Sequence, residues 1–318
     1  MVRTGLLQPV APDDLETVTR LHDEAMAVDG HPSLGDAVWR DLDEPYTKDS
    51  VGVLATVEEH GEPIGYAHVY RSDSLSPPHW GVGFVVNPQF REAGVQVALL
   101  ERAVERVAAA GGGLLVLWVF NPSEHDAAAA AAIGFRHQRD LLQQRVPLPL
   151  GEQPRWPSGI EVRHFVPGHD DAAWLVVNNR AFADHPEQGG WVEATLRRRL
   201  DEPWFDPKGF LLAVDADGIA GYCWTKVHPP TQIDPELGEI FVIGVDPSRQ
   251  GTGLGRALVV AGLASLAERG VRTGMLFVDG DNDAALRLYA SLGFTTHRVD
   301  RAFEREVRAA SPPAETGS

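Results

Sequence analysis

The sequence predicts two successive α/β (α+β) units, each a mixed β-sheet flanked by helices, and three observations lead there. Its 318 residues suffice for two hydrophobic cores of ordinary size. A strand, a glycine-bearing turn and a helix follow one another once in each half. The halves also share landmarks at a constant separation of 159 residues, Pro88 with Pro247, Gly94 with Gly253 and Gly134 with Gly293. Three anchors at one offset mark a tandem duplication.

The elements follow in order. A polar helical segment is expected over 13–28, then strands over 51–57 and 64–70 around a turn at 58–62. Phe84-Val85-Val86-Asn87-Pro88 and Arg91-Glu92-Ala93-Gly94-Val95-Gln96 lead into an alanine-rich helix, then a strand over 114–119. Residues 127–132 run into Ile133-Gly134-Phe135. Pro147, Pro149, Pro154 and Pro157 with Gly151 and Gly159 mark a linker. The second half repeats the order: strands over 211–214 and 219–226 around Asp215-Ala216-Asp217-Gly218, a strand over 239–245, a helix, a strand over 275–278, and Leu292-Gly293-Phe294. The expected domains are therefore 1–150 and 159–318, with a disordered tail over 309–318.

The most informative stretch is Val242 to Arg256, where an apolar β-branched run stops at Pro247 and Leu254, Leu258 and Ala261 resume at helical spacing. Gly251, Gly253 and Gly255 leave backbone N–H groups free to converge beside a helix N-terminus, which suits a phosphate or pyrophosphate. A Walker loop would end Gly-Lys-Ser/Thr, whereas Gly255 is followed by Arg256-Ala257. A dinucleotide fingerprint stays open, because the strand over 275–278 closes on Asp279. So does a plain glycine-rich surface turn.

Composition narrows the function. The net charge of −17 argues against nucleic acid as a partner. No apolar run reaches the length of a membrane helix, and Met1-Val2-Arg3-Thr4-Gly5 has no signal core. A single cysteine, Cys223, excludes an internal disulfide, so the cytoplasm is the expected compartment; a monomer is the expected state. His31, His185 and His228 lack ligand spacing, so no metal is expected. No partner for Cys223 as a nucleophile stands out.

Gln250-Gly251-Thr252-Gly253-Leu254-Gly255 resembles the acyl-CoA loop of the GNAT acetyltransferase superfamily, Gln/Arg-x-x-Gly-x-Gly/Ala. Leu288-Tyr289-Ala290-Ser291-Leu292-Gly293-Phe294 resembles that superfamily's closing motif. The resemblance implies two tandem GNAT acyl-CoA N-acyltransferase domains. It also implies a strand that splays from its neighbour to leave an unpaired N–H within Ile243, Gly244 and Val245 for the thioester oxygen. Gly244 would admit the acyl chain. Asn282 would contact the pantetheine arm, or merely cap its helix. Tyr289 would be the general acid facing the sulfur. Glu239, at the start of the central strand, would be the general base, directly or through water. At the common offset Gly255 faces Gln96, Asn282 faces Ser123, Tyr289 faces Ala130 and Glu239 faces Trp80, so the second half is the catalytic candidate.

Three stretches go further: Asn178 to Trp191, Trp204-Phe205-Asp206-Pro207, and Gly221 to Pro229 leading into Leu237-Gly238-Glu239. With the two-unit layout they resemble the mycothiol synthase family, which acetylates the cysteine amine of desacetylmycothiol (Cys-GlcN-Ins). That resemblance implies acceptor contacts at Asp36, Glu187, Lys226 and Glu239. It places acetyl-CoA against Ile243, Gly244 and Val245, then Gln250, Gly251, Thr252, Gly253, Leu254, Gly255 and Arg256, then Asn282, Asp283, Ala284, Ala285, Leu286 and Arg287. It implies a second, non-catalytic acetyl-CoA against Phe84, Val85, Val86, Arg91, Glu92, Ala93, Gly94, Val95 and Gln96. Gln96 departs from the pattern at the last loop glycine, and Phe277 stands where an acceptor-touching tyrosine is expected. An aminoglycoside or protein N-terminus as acceptor, and a non-catalytic CoA sensor, are the competing functions.

Overall fold

The computed structural model describes residues 2–8, 10–43, 50–57, 61–72, 78–183 and 188–310. Most of the expected 58–62 turn, His185, Glu187 and residues 311–318 of the expected tail lie outside the described residues.

The chain divides into two compact units, unit 1 (Met1–Leu141 with Arg298–Ser318) and unit 2 (Leu142–His297). The division differs from the expected 1–150 and 159–318 because the closing strands change places. Strand β12 (Thr295–Val307) sends Asp300 to Val307 antiparallel to β5 (Gly113–Phe120) in unit 1. The last residues of β6 (Arg136–Pro147) lie beside β11 (Thr273–Asp279) in unit 2. Arg301 and Asp140 hold the crossing in unit 1 with bonds of 2.7 and 3.1 Å.

Unit 1 orders its strands β1 (Val2–Leu7), β2 (Val51–Val57), β3 (Pro63–Ser72), β4 (His79–Val86), β5 and then β12. Helices α3 (Val95–Ala109) and α4 (Glu124–Ala132) cover one face. Helices α1 (Pro12–Asp29) and α2 (Asp36–Asp43) cover the other. The expected helix over 13–28 and the strands over 51–57, 64–70 and 114–119 are found within a few residues of their forecast limits.

Unit 2 orders its strands β6, β11, β10 (Leu237–Val245), β9 (Gly218–His228), β8 (Phe210–Asp215) and β7 (Glu161–His164). Helices α5 (Asp171–Ala181) and α6 (Glu193–Leu200) close an aromatic face built on Trp174, Phe210, Tyr222 and Trp224. Helices α7 (Leu254–Glu268) and α8 (Asp283–Ser291) close the aliphatic face. Leu254, Leu258, Leu263 and Leu266 of α7 are all buried, each contributing about 1.5–3 kcal/mol.

Gly262 lets α7 sit close on the sheet, because a Cβ there would stand 2.5 Å from the Sγ of Cys223. Replacing it with Ala gains about 1 kcal/mol of helix propensity, but overpacking costs about 1–3 kcal/mol. The clash is with a short, fully buried side chain that has nowhere to go, so the cost dominates. We therefore expect Gly262→Ala to lower the Tm, and Gly262→Ala/Cys223→Ala to recover much of the loss, as read by thermal melting.

Candidate active site

The glycine loop of unit 2 has the geometry of an anion cradle. Asp246 follows β10 and its side chain accepts from the N–H and the hydroxyl of Ser248 at 2.9 and 2.6 Å. Burial alone would raise the Asp246 carboxyl, but Ser248 and the nearby Arg180 and Arg249 outweigh it and hold the group below the usual carboxylate range. Arg249 binds Asp215 and Asp217 at 2.7 and 2.6 Å, tying the loop to the β8–β9 turn. Gly251 and Gly253 then take left-handed φ values of 75° and 88°. A Cβ at either position would meet nothing within 4 Å. Gly253 begins α7 without a side-chain cap, so the first-turn N–H groups are left for water or a ligand.

Two other residues expected at the CoA site have structural duties. Arg256 donates to Ser291 and Glu152 at 2.7 and 2.9 Å. Asn282 caps α8, its Oδ1 accepting from the N–H of Ala285 at 3.1 Å. The head of that helix, Asn282 to Ala284, is exposed.

Beyond the loop the sheet opens. β10 and β11 run parallel and pair at Gly238↔Gly274 and Glu239↔Met275, then part. From Val242 to Val245 the strand pairs with β9 alone among the described residues. Its N–H groups on the other side, within the expected Ile243, Gly244 and Val245, therefore face the gap. Phe277, on the opened stretch of β11, is 36% exposed. The space at Gly244 belongs to the Tyr222 ring, whose atoms a Cβ would approach to 2.7 Å. Ring packing, rather than the acyl chain, requires that glycine. Burial raises the Tyr222 phenol, and its hydroxyl donates to Asn178 Oδ1 at 2.6 Å.

On the aromatic face, Glu239 and Lys226 are direct cross-strand partners, so both side chains stand on one side. The ammonium of Lys226 lies 4.9 Å from the Trp204 ring centre and 6.0 Å from that of Phe241, within cation–π range. Glu239 is 8% exposed, and its Oε2 lies 2.7 Å from Nε2 of His228. The sequence reading misses His228 and Phe241 at this place. The available signal is the i, i+2 spacing of Lys226 and His228, which puts both on one face of a strand.

Tyr289 lies on the opposite face, packed in the aliphatic core against Phe294. Burial, with a smaller effect from Cys223, pushes its phenol up to about 12. Cys223 is fully buried and its thiol is pushed up to about 12 by that burial, so it offers no thiolate nucleophile.

The expected pairing of Glu239 with Trp80 is corrected by the strand register. A bulge at Phe241 interrupts the β9–β10 ladder between Ile240 and Val242. The corresponding β3–β4 ladder in unit 1 runs without a break. The extra residue brings Glu239, opposite Lys226, into correspondence with Gly81, opposite Tyr70. The Tyr70 ring fills the space over Gly81, where a Cβ would come within 2.4 Å of it. Asp36, another expected acceptor contact, begins α2 in unit 1.

Unit 1 has a cleft of about 300 Å³ at the corresponding strand parting, bounded by Phe84, Val85, Val86, Trp118 and Phe120. Its rim is unlike that of unit 2. Arg91 is clamped on both oxygens of Asp29 at 2.8 and 2.5 Å. Gln96, 4% exposed, donates to Asp126 at 3.0 Å. Glu92 stands where unit 2 has Gly251, so carboxylates line the place of the diphosphate cradle.

The family described as "Acetyltransferase (GNAT) family" matches residues 16–135 and 177–294. The mycothiol acetyltransferase of Thermobispora bispora is 42% identical over 297 residues, covering 92% of this chain and 97% of that relative. The chain belongs to the mycothiol acetyltransferase family of GNAT proteins. The enzyme of the same name from Streptomyces coelicolor is 39% identical over 95% of this chain and 94% of its own. Among solved structures, a GCN5-related N-acetyltransferase from Sphaerobacter thermophilus aligns over 98% of this chain and 96% of its own, with a TM-score of 0.74 at 25% identity. A tandem GNAT protein from the clavulanic acid biosynthesis pathway covers 98% of this chain and 100% of its own, at a TM-score of 0.73 and 18% identity, and shares the fold. The protein is thus an acetyl-CoA-dependent N-acetyltransferase with two GNAT repeats. Among the described residues no helix is long and apolar enough to cross a membrane.

The loop geometry yields a direct test. A side chain at Gly253 costs about 1–2 kcal/mol in the left-handed region and distorts the start of α7. Gly253→Ala should raise the KM for acetyl-CoA several-fold while leaving kcat at saturation within about twofold, as read by initial rates.

Proposed function

We propose that the protein transfers acetyl from acetyl-CoA to the cysteine amine of desacetylmycothiol, giving mycothiol and CoA, and that unit 2 carries the reaction. The observation that supports this best is the Lys226–Glu239 pair at the point where β10 and β11 part. A carboxylate and an ammonium, the latter framed by Trp204 and Phe241, stand where β10 and β11 part. The relatives, at 39–46% identity, are named mycothiol acetyltransferase, after the product of this reaction.

The residues of unit 2 fit acetyl-CoA. The uncapped first turn of α7, with open space at Gly251 and Gly253, receives the diphosphate, and the exposed head of α8 flanks the pantetheine. When bound, acetyl-CoA supplies an activated thioester with a thiolate leaving group. Backbone N–H groups of Ile243 to Val245 in the gap stabilise negative charge on the carbonyl oxygen. Glu239 takes a proton from the incoming ammonium, directly or through water, so that nitrogen becomes the nucleophile. Lys226 holds a hydroxyl or carbonyl of the sugar–inositol portion. Tyr289, on the far side of the gap, donates a hydrogen bond toward the departing sulfur. The enzyme works in the cytoplasm as a monomer in this reading.

Unit 1 fits the group poorly. The carboxylates of Asp29, Glu92 and Asp126 oppose a diphosphate, and the Arg91 charge is already matched by Asp29. We propose one acetyl-CoA per chain, and equilibrium dialysis should give a stoichiometry near one; two equivalents would restore the expected second site.

The acceptor assignment is checked by acetyl-CoA turnover with desacetylmycothiol against an aminoglycoside at equal concentration. Preference for the aminoglycoside would overturn it. Tyr289→Phe should lower kcat about 10- to 100-fold with little change in acetyl-CoA affinity. Since the folded phenol is raised to about 12, it keeps its proton through the ordinary range of a tyrosine. The parent's kcat should therefore show no loss attributable to Tyr289 between about pH 8 and 10.

A further inference from the structure

We propose that His228 is a positioning residue for the general base: its ring N–H holds one oxygen of Glu239 so that the other faces the amine. The inference rests on Glu239 being that base.

The contact is close and sheltered. His228 Nε2 lies 2.7 Å from Glu239 Oε2, with the carboxylate side chain 10% exposed and the imidazole 30% exposed. An ionised carboxylate only accepts, so the imidazole must donate, and Nε2 carries the hydrogen. A charge-assisted bond of this length removes rotational freedom from a side chain that would otherwise sample several rotamers.

The register makes the arrangement specific to this unit. Lys226 and His228 sit two residues apart on β9 and so share a face with Glu239, which lies opposite Lys226. The Phe241 bulge inserts the residue that brings Glu239 onto this face. In unit 1, Gly81 stands at the place of Glu239 and no carboxylate is available to hold. His228 is also placed firmly. It ends β9, and the loop that follows is pinned by Arg145, which donates to both oxygens of Asp234 at 2.6 and 3.0 Å. That loop returns to β10 two residues before Glu239.

The surrounding charges are Lys226 on β9, Arg199 of α6, 6.0 Å from the Phe241 ring centre, and the Arg145–Asp234 pair.

Three variants decide it, each checked by thermal melting and by acetyl-CoA affinity. Glu239→Gln comes first, as the control on the base itself. His228→Ala should lower kcat/KM for the acceptor about tenfold or more, with KM for acetyl-CoA unchanged. His228→Gln retains an N–H donor without a titrating charge. It should recover activity to within about threefold of the parent. Parental kcat/KM in His228→Ala, alongside a disabled Glu239→Gln, would overturn the positioning role while leaving the base in place. A loss in His228→Ala that His228→Gln does not rescue, or that comes with weaker acetyl-CoA binding, would mean the histidine is merely structural. Parental activity in Glu239→Gln would remove the base, and the role of His228 with it.

Discussion

Everything at this site depends on two parallel strands ceasing to pair. β10 and β11 share two bridges, at Gly238↔Gly274 and Glu239↔Met275, and then run on separately to Val245 and Asp279. A buried strand with no neighbour leaves N–H groups unsatisfied, a costly state that a folded chain keeps only where something else meets the need. Here that need and the need of a thioester oxygen for donors coincide. The parting also joins the aromatic face, with Glu239 and Lys226, to the aliphatic face, with Tyr289. In the proposed mechanism Glu239 and Tyr289 then address one reacting centre from opposite sides of a single sheet.

Unit 1 has the same scaffold and differs in the groups proposed to carry this chemistry. Its strands β4 and β5 also part, after Val82↔Leu117. What differs is what surrounds the opening. Without a bulge the acceptor side presents Gly81, and the Tyr70 ring occupies the room. At the other mouth, the amide of Gln96 and the carboxylate of Asp126 join the starts of α3 and α4, whereas in unit 2 the start of α7 has no side-chain cap. The helix N-terminus remains, but its attraction for an anion is worth about 0.3–1 kcal/mol in ordinary settings, which a few close carboxylates at low effective dielectric readily exceed.

Much of this is legible in the sequence, and the failures have physical causes. The apolar runs of β2, β3, β5 and β10 and the glycine loop stand out because burial on both faces enforces unbroken hydrophobic stretches. β6 and β12 do not: Arg136-His137-Gln138-Arg139-Asp140 and Thr295-Thr296-His297-Arg298 read as polar segments, and only long-range pairing makes them strands. Their exchange between units moves the domain boundaries for the same reason. The constant 159-residue offset locates the repeat correctly, but an alignment by number has no way to register a bulge, so it matches Glu239 to Trp80 instead of Gly81. His228 escapes notice because a lone histidine in sequence has no partner until the register supplies one.

The proton inventory separates the roles of the two catalytic side chains. A phenol raised to about 12 by burial and a thiol near its ordinary value of about 8.5 differ by roughly 3–4 pK units. Complete transfer from Tyr289 to a thiolate would thus run uphill by about 5 kcal/mol. A short hydrogen bond from the same phenol carries no such cost and stabilises charge as it develops on sulfur. In the proposed mechanism Tyr289 is therefore a fixed donor that spreads the leaving charge, with solvent completing the protonation once CoA departs. Glu239 suits the opposite role in the proposed mechanism, because its carboxylate lies where β10 and β11 part, opposite Lys226 and 2.7 Å from the His228 ring nitrogen. The two groups thus divide the proton work between the faces of the sheet: the phenol keeps its proton and lends a hydrogen bond, and the carboxylate is placed to accept one.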